Sequence, residues 1–171
     1  MGHGHKIFRM RTIKKPYSFF LFLFLALWLN LLLNGCRNDI VFSRMEAVPV
    51  NQWYSHQTTD LAFTPDDTLS LYSMELLLRH TVDYAYSNFF LFLEIEFPDQ
   101  TLLRDTLECI LAERDGRWTG RGSGAFRSHA FLFRDSIVFP QSGTYLFWLQ
   151  HGMRDEPLSG IGNIGLQFRK K

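Results

Sequence analysis

The chain has 171 residues, with 18 lysines and arginines against 17 aspartates and glutamates, a formal net charge of +1. So even a balance gives no electrostatic basis for binding nucleic acid. Two cysteines are too few for a disulfide scaffold, so a folded domain must be held by its core, and 46% apolar residues suffice to build one.

Lys6, Arg9, Arg11, Lys14 and Lys15 precede a largely apolar run of fifteen residues, 19–33, with no acidic residue among them. A basic stretch followed by a short apolar one is the pattern of a secretory signal, and the run is shorter than the roughly 17–25 residues a bilayer-crossing helix needs. It ends in Leu33-Asn34-Gly35-Cys36, which resembles a lipobox. That resemblance implies cleavage of 1–35 and a diacylglycerol thioether on Cys36, whose thiolate is the side chain suited to attack an alkyl donor. A cleaved soluble signal and an uncleaved membrane helix are the rival readings. Cleavage leaves 136 residues with 13 basic and 17 acidic side chains, a net −4, and removes His3 and His5.

Residues 37–50, RNDIVFSRMEAVPV, show little periodicity and read as a tether to a domain at 51–171. Fully extended, the tether reaches at most about 50 Å. Ile40, Val41 and Phe42 offer an alternative, a further edge strand. From residue 50 onward apolar side chains recur at period two. Residues 50–54 are a first short strand candidate. Leu69 and Leu71 alternate, then Met74, Leu76 and Leu78 on the other parity, which predicts a bulge or break near Tyr72-Ser73. Phe89, Leu91, Leu93, Ile95 and Phe97 form one row, and Phe90 and Phe92 make that strand apolar on both faces, as in a central or covered strand. Pro98-Asp99-Gln100 supplies a turn. Leu103, Leu107, Cys109 and Leu111 form the answering row, so 88–112 reads as a hairpin with Cys109 inward. Asp115-Gly116 signals a tight turn, a strand resumes at Arg117-Trp118, and residues 119–124 are too glycine-rich for a strand interior. Phe131, Phe133, Ile137 and Phe139, then Tyr145, Phe147 and Leu149, then Ile164, Leu166 and Phe168 mark the remaining strands. Seven or eight strands, with no amphipathic helix longer than two turns, predict an all-β antiparallel sandwich of Ig-like or jelly-roll type.

Several short pieces occur in a distinctive order: Leu78-Arg79-His80-Thr81, Asp83-Tyr84, Tyr86-Ser87-Asn88, Phe97-Pro98-Asp99, Asp105-Thr106-Leu107-Glu108, Leu111-Ala112, Asp115-Gly116-Arg117-Trp118 and Gly120-Arg121-Gly122. Phe139-Pro140, Gly143-Thr144-Tyr145, Gln150-His151-Gly152-Met153-Arg154 and Gly160-Ile161 follow. As an ordered set this resembles the GldH family of gliding-motility lipoproteins of the Bacteroidetes. The resemblance covers nearly all of the chain after Cys36. It implies an accessory lipoprotein of the gliding machinery, which is linked to type IX secretion; it names a system and no reaction.

Arg79, His80, Asp83, Tyr84, Tyr86 and Asn88 form the densest polar and aromatic cluster, and Arg117, Trp118 and Arg121 a second. Arginine and tyrosine are the anchors expected of a protein interface. The plainer alternative is an inter-sheet crossover in which Asp and Asn bond their own backbone and tyrosine hydroxyls reach nearby carbonyls. Residues 120–124 lack the following helix that a phosphate cradle needs. His80, Asp83 and Ser87 lie too close in sequence for a typical hydrolytic triad. His56, His80, His129 and His151 have no ligand spacing, so neither metal nor cofactor is expected. The reading is a non-enzymatic interaction module, held to the membrane by acyl chains, with other gliding or secretion proteins of the envelope as partners and no nucleic acid. A carbohydrate-binding or glycan-processing sandwich is the alternative, with Trp53, Trp118 and Trp148 as platforms, although Trp148 sits in an apolar strand and reads as core. An acyl-chain carrier, which would need an open cavity between the sheets, is a third.

Overall fold

Side chains alternating between two faces account for almost every element of the computed structural model, which describes residues 1, 21, 23–25, 39–48 and 52–171. The chain divides into two units, Met1–Asn38 and Asp39–Lys171. Among the described residues no helix is long and apolar enough to cross a membrane. The second unit carries β1 (Ile40–Ala47), β2 (Thr59–Phe63), β3 (Tyr72–Thr81), β4 (Asn88–Glu96), β5 (Leu102–Ile110), β6 (Phe126–Ile137), β7 (Tyr145–His151) and β8 (Ile161–Lys170).

These form two four-stranded antiparallel sheets, ordered β1-β8-β3-β6 and β2-β7-β4-β5. The pairs β1·β8, β2·β7, β3·β6 and β4·β5 are all hydrogen-bonded. They describe one long two-stranded ribbon, folded back at the turn after β4 and rolled up into two sheets. That nesting is a jelly roll, and it decides between the two sandwich types the sequence left open.

The hairpin read at 88–112 is present as β4 and β5, paired from Asn88↔Ile110 to Glu96↔Leu102. Its turn is closed by Asp99, whose Oδ1 accepts the Thr101 N–H at 2.9 Å. The predicted irregularity at Tyr72-Ser73 is also present, as register shifts between Tyr72, Met74 and Glu75 against β6. Inward rows from both sheets meet in a ring-filled interior. Phe168 lies 4.6–5.5 Å from Phe42, Phe63, Phe139 and Phe147. Each fully buried ring is worth about 2–3 kcal/mol, and their packing occupies the space that an acyl-chain carrier would keep open. Cys109 is buried as its parity required, and burial pushes its thiol up to about 12.

Four expectations need correction. The tether at 37–50 is largely strand: β1 pairs with β8 from Ile40↔Arg169 to Ala47↔Asn163, which realises the edge-strand alternative. In the strand expected at 50–54, Trp53 makes only an isolated bridge to Leu158, while Val50 and Asn51 lie outside the described residues; the real strand there is β2. Leu69 and Leu71 are exposed and precede β3, because Asp67 turns the chain by accepting the Leu69 and Ser70 N–H groups. Trp118 resumes no strand and bridges only Ala112.

Candidate functional site

Strands that alternate in direction put the β1–β2, β3–β4, β5–β6 and β7–β8 connections at one end of the roll. Most of the distinctive sequence pieces lie in them, and the connections are fastened to one another. Val82 N–H donates to the Ala125 carbonyl at 2.9 Å, and Leu111 N–H donates to the Ser87 carbonyl at 2.8 Å. Trp53 and Leu158 exchange backbone hydrogen bonds, and Glu156 accepts the Ser55 N–H at 2.9 Å.

Beneath this end sits a layer of buried aromatic and imidazole rings. His80 is fully buried at the end of β3 and lies 4.6 Å from Trp118, 5.1 Å from His129 and 5.8 Å from Tyr84. Its Nδ1 stands 2.7 Å from the Thr81 carbonyl, which can only accept, so Nδ1 carries the proton. In the neutral ring Nε2 is then an acceptor, and the contact to His129 Nε2 at 3.1 Å makes His129 the donor. Burial holds both imidazoles neutral: His80 is shifted down, and His129 is pushed down to about 4 by burial and then by its neighbour His80. His151, buried edge-on against Trp53 at 5.1 Å, is lowered by burial as well.

These three histidines fix a pH dependence. The unfolded chain protonates them near pH 6.5, whereas in the folded protein all three are shifted lower, His129 to about 4. Stability is therefore fully present above about pH 6.5 and falls as the pH drops towards 4. Melting temperatures measured from about pH 7.5 to 5.5, above the range in which carboxylates titrate, should decline steadily, and His129→Leu should flatten the decline. A flat profile in the wild type would rule out the neutral buried pair.

Above the ring layer, the predicted cluster separates into two levels. His80 and Tyr84 are buried, so they support the surface instead of forming it, and the Tyr84 hydroxyl donates to the Asn88 carbonyl at 3.2 Å as the crossover alternative expected. Trp118 is partly buried as a lid over His80. Asn88 donates to Glu108 at 2.7 Å, and Tyr86 is hydrogen-bonded to Asp155. Arg79, Asp83, Arg117 and Arg121 are exposed. The Arg79 guanidinium rests 4.3 Å over the Phe126 ring, and Arg117 stands 3.9 Å from Asp115. Gly116 takes φ +84° in the turn between them, a conformation the Asp-Gly pair had signalled. Phe126 and Asp155 belong to this end but were not singled out from sequence, and His129 was weighed there only as a metal ligand. Cys36 lies outside the described residues.

Among the described residues no three His, Cys, Asp or Glu side chains gather as a metal site requires. What this end offers is a fastened set of loops with arginines on top. Residues 40–168 match the GldH lipoprotein family. The chain belongs to that family. Among GldH relatives, a gliding motility lipoprotein GldH homolog of Christiangramia forsetii is 27% identical over 165 residues, covering 92% of this chain and 98% of that protein. The gliding motility lipoprotein GldH of Flavobacterium johnsoniae is 25% identical over 148 residues, covering 82% of this chain and 91% of that one. The match to the GldH family starts at β1, so the family's unit includes the edge strand and not only the domain read at 51–171.

The three tryptophans considered as platforms part company. Trp53 is buried in the core, its Nε1–H donating to the Gln57 carbonyl at 2.9 Å. Trp118 covers His80. Trp148, read as core, is instead partly buried on the outer face of β7, on the opposite parity from the buried Phe147 and Leu149.

Proposed function

We propose that this GldH-family protein is a membrane-anchored, non-catalytic protein-interaction module of the gliding machinery and its linked type IX secretion system. In this reading acyl chains on Cys36 hold it in the cell envelope, facing the periplasm, and the loop end meets another envelope protein. The observation that carries the reading is the exposure of Arg117 and Arg121 on a β5–β6 loop hydrogen-bonded to its neighbour, with Arg79 exposed beside them near the end of β3. Exposed, pre-positioned guanidinium groups can anchor a partner through charge-assisted bonds with little ordering cost.

Arg79→Ala and Arg117→Ala test it. Both side chains are exposed, so the melting temperature should stay within about 2 °C of wild type. Capture of the partner in a crosslinking pulldown from intact cells should fall by some thirtyfold, the effect of losing a hot spot of about 2 kcal/mol. Early melting with capture in proportion to the folded fraction would make these arginines structural.

A further inference from the structure

The outer face of the β2-β7-β4-β5 sheet has a different chemistry from the loop end. Trp148 lies at its centre, opposite Asp60 on one side and Glu94 on the other. Gln150 and Phe92 form the next cross-strand pair, and Phe92 is 46% exposed. Glu94 is ion-paired with Arg104 of β5. Phe92, Glu94, Arg104, Trp148 and Gln150 border a groove of about 620 Å³, within the range of small-ligand sites, and Asp105 also lines it.

The lining selects the occupant. β7 and β4 have hydrogen-bonded neighbours on each side, so no extended peptide adds by strand pairing to the strands that carry Trp148, Phe92 and Glu94, and the free edge beside the groove belongs to β5. The lining carboxylates Glu94 and Asp105 against the single lining arginine, Arg104, disfavour an anionic ligand, and a carboxylate beside the ring disfavours a lipid tail. A sugar ring matches both halves. Its C–H face lies flat on an indole, while its hydroxyls donate to carboxylates and exchange hydrogen bonds with an amide at the rim. Trp148 stands on a central strand, so the platform is rigid before anything binds.

We infer that this face is a saccharide-binding surface for a neutral oligosaccharide, with Trp148 as the stacking platform and Glu94 and Gln150 as partners of the hydroxyls. It is separate from the arginine-bearing end and independent of its role.

Calorimetric titration of the full-length lipoprotein tests the assignment, in a detergent without a sugar headgroup. The probes are hexasaccharides of β-1,4-glucose, α-1,4-glucose and β-1,4-N-acetylglucosamine. At least one should bind saturably. Trp148→Ala should weaken it by about tenfold or more, and Glu94→Gln should weaken it too. Melting curves should show both variants folded at the temperature of the titration, so that lost binding reports the site and not unfolding. Failure of all three sugars at about 10 mM, or equal binding by Trp148→Ala, overturns the assignment. So does a change in oligomeric state caused by Trp148→Ala, which would make the face a contact between copies.

Discussion

A single methyl group added at Gly165 should lower the melting temperature by roughly 10 °C. Gly165 sits in β8 between Met45 of β1 and Leu77 of β3. A Cβ there would meet the Arg44 carbonyl oxygen at 1.9 Å and the Met45 Cα at 2.6 Å. Both are backbone atoms, so no side-chain rotation relieves the clash, and β1 itself must move. Forced overpacking costs about 1–3 kcal/mol and more where backbone must shift. The upper end applies here, because displacing β1 also loosens Phe42 from Phe63 and Phe168. For a domain of this size roughly 3–5 °C is lost per kcal/mol. Calorimetry of Gly165→Ala gives the number, and hydrogen exchange should show the loss concentrated at residues 40–47. A variant that melts within about 1 °C of wild type would mean that β1 is not seated against β8 as described.

The second large effect is all or none. Cys36→Ser removes the sulfur that our reading makes the point of acylation, and an alkoxide does not replace a thiolate at neutral pH. The variant should incorporate no labelled fatty acid, retain its first 35 residues and leave the membrane fraction's processed pool. Processed, membrane-held protein from this variant would sink the anchor at Cys36.

How far the sequence revealed these features depended on how many faces each strand buries. The β4–β5 hairpin was readable because an inward row at odd positions runs through a turn of known chemistry into an answering row. β1 was not, since Ser43, Arg44 and Glu46 break its pattern and Phe42 is the side chain it packs against the core. β2 is five residues long, and its two polar positions read as loop. Trp148 was misplaced because a large apolar side chain in an apolar strand was taken as inward, whereas rings are often only partly buried on an outer face and parity alone distinguishes them. The His80–His129 pair needed the β3–β6 register, which connects residues 49 positions apart and leaves no local trace.

The extra edge strand also changes how force would enter the protein. With an acyl anchor on Cys36, four Cα steps separate the lipid attachment from Ile40, a span of at most about 15 Å, against the 50 Å of a free tether. Tension on the anchor then arrives at the first residue of β1, directly opposite Arg169 near the end of β8. Pulling along β1 loads its whole hydrogen-bond ladder at once, while pulling across it opens the rungs one at a time from Ile40. Phe42, wedged between rings of both sheets, is the first catch on either route.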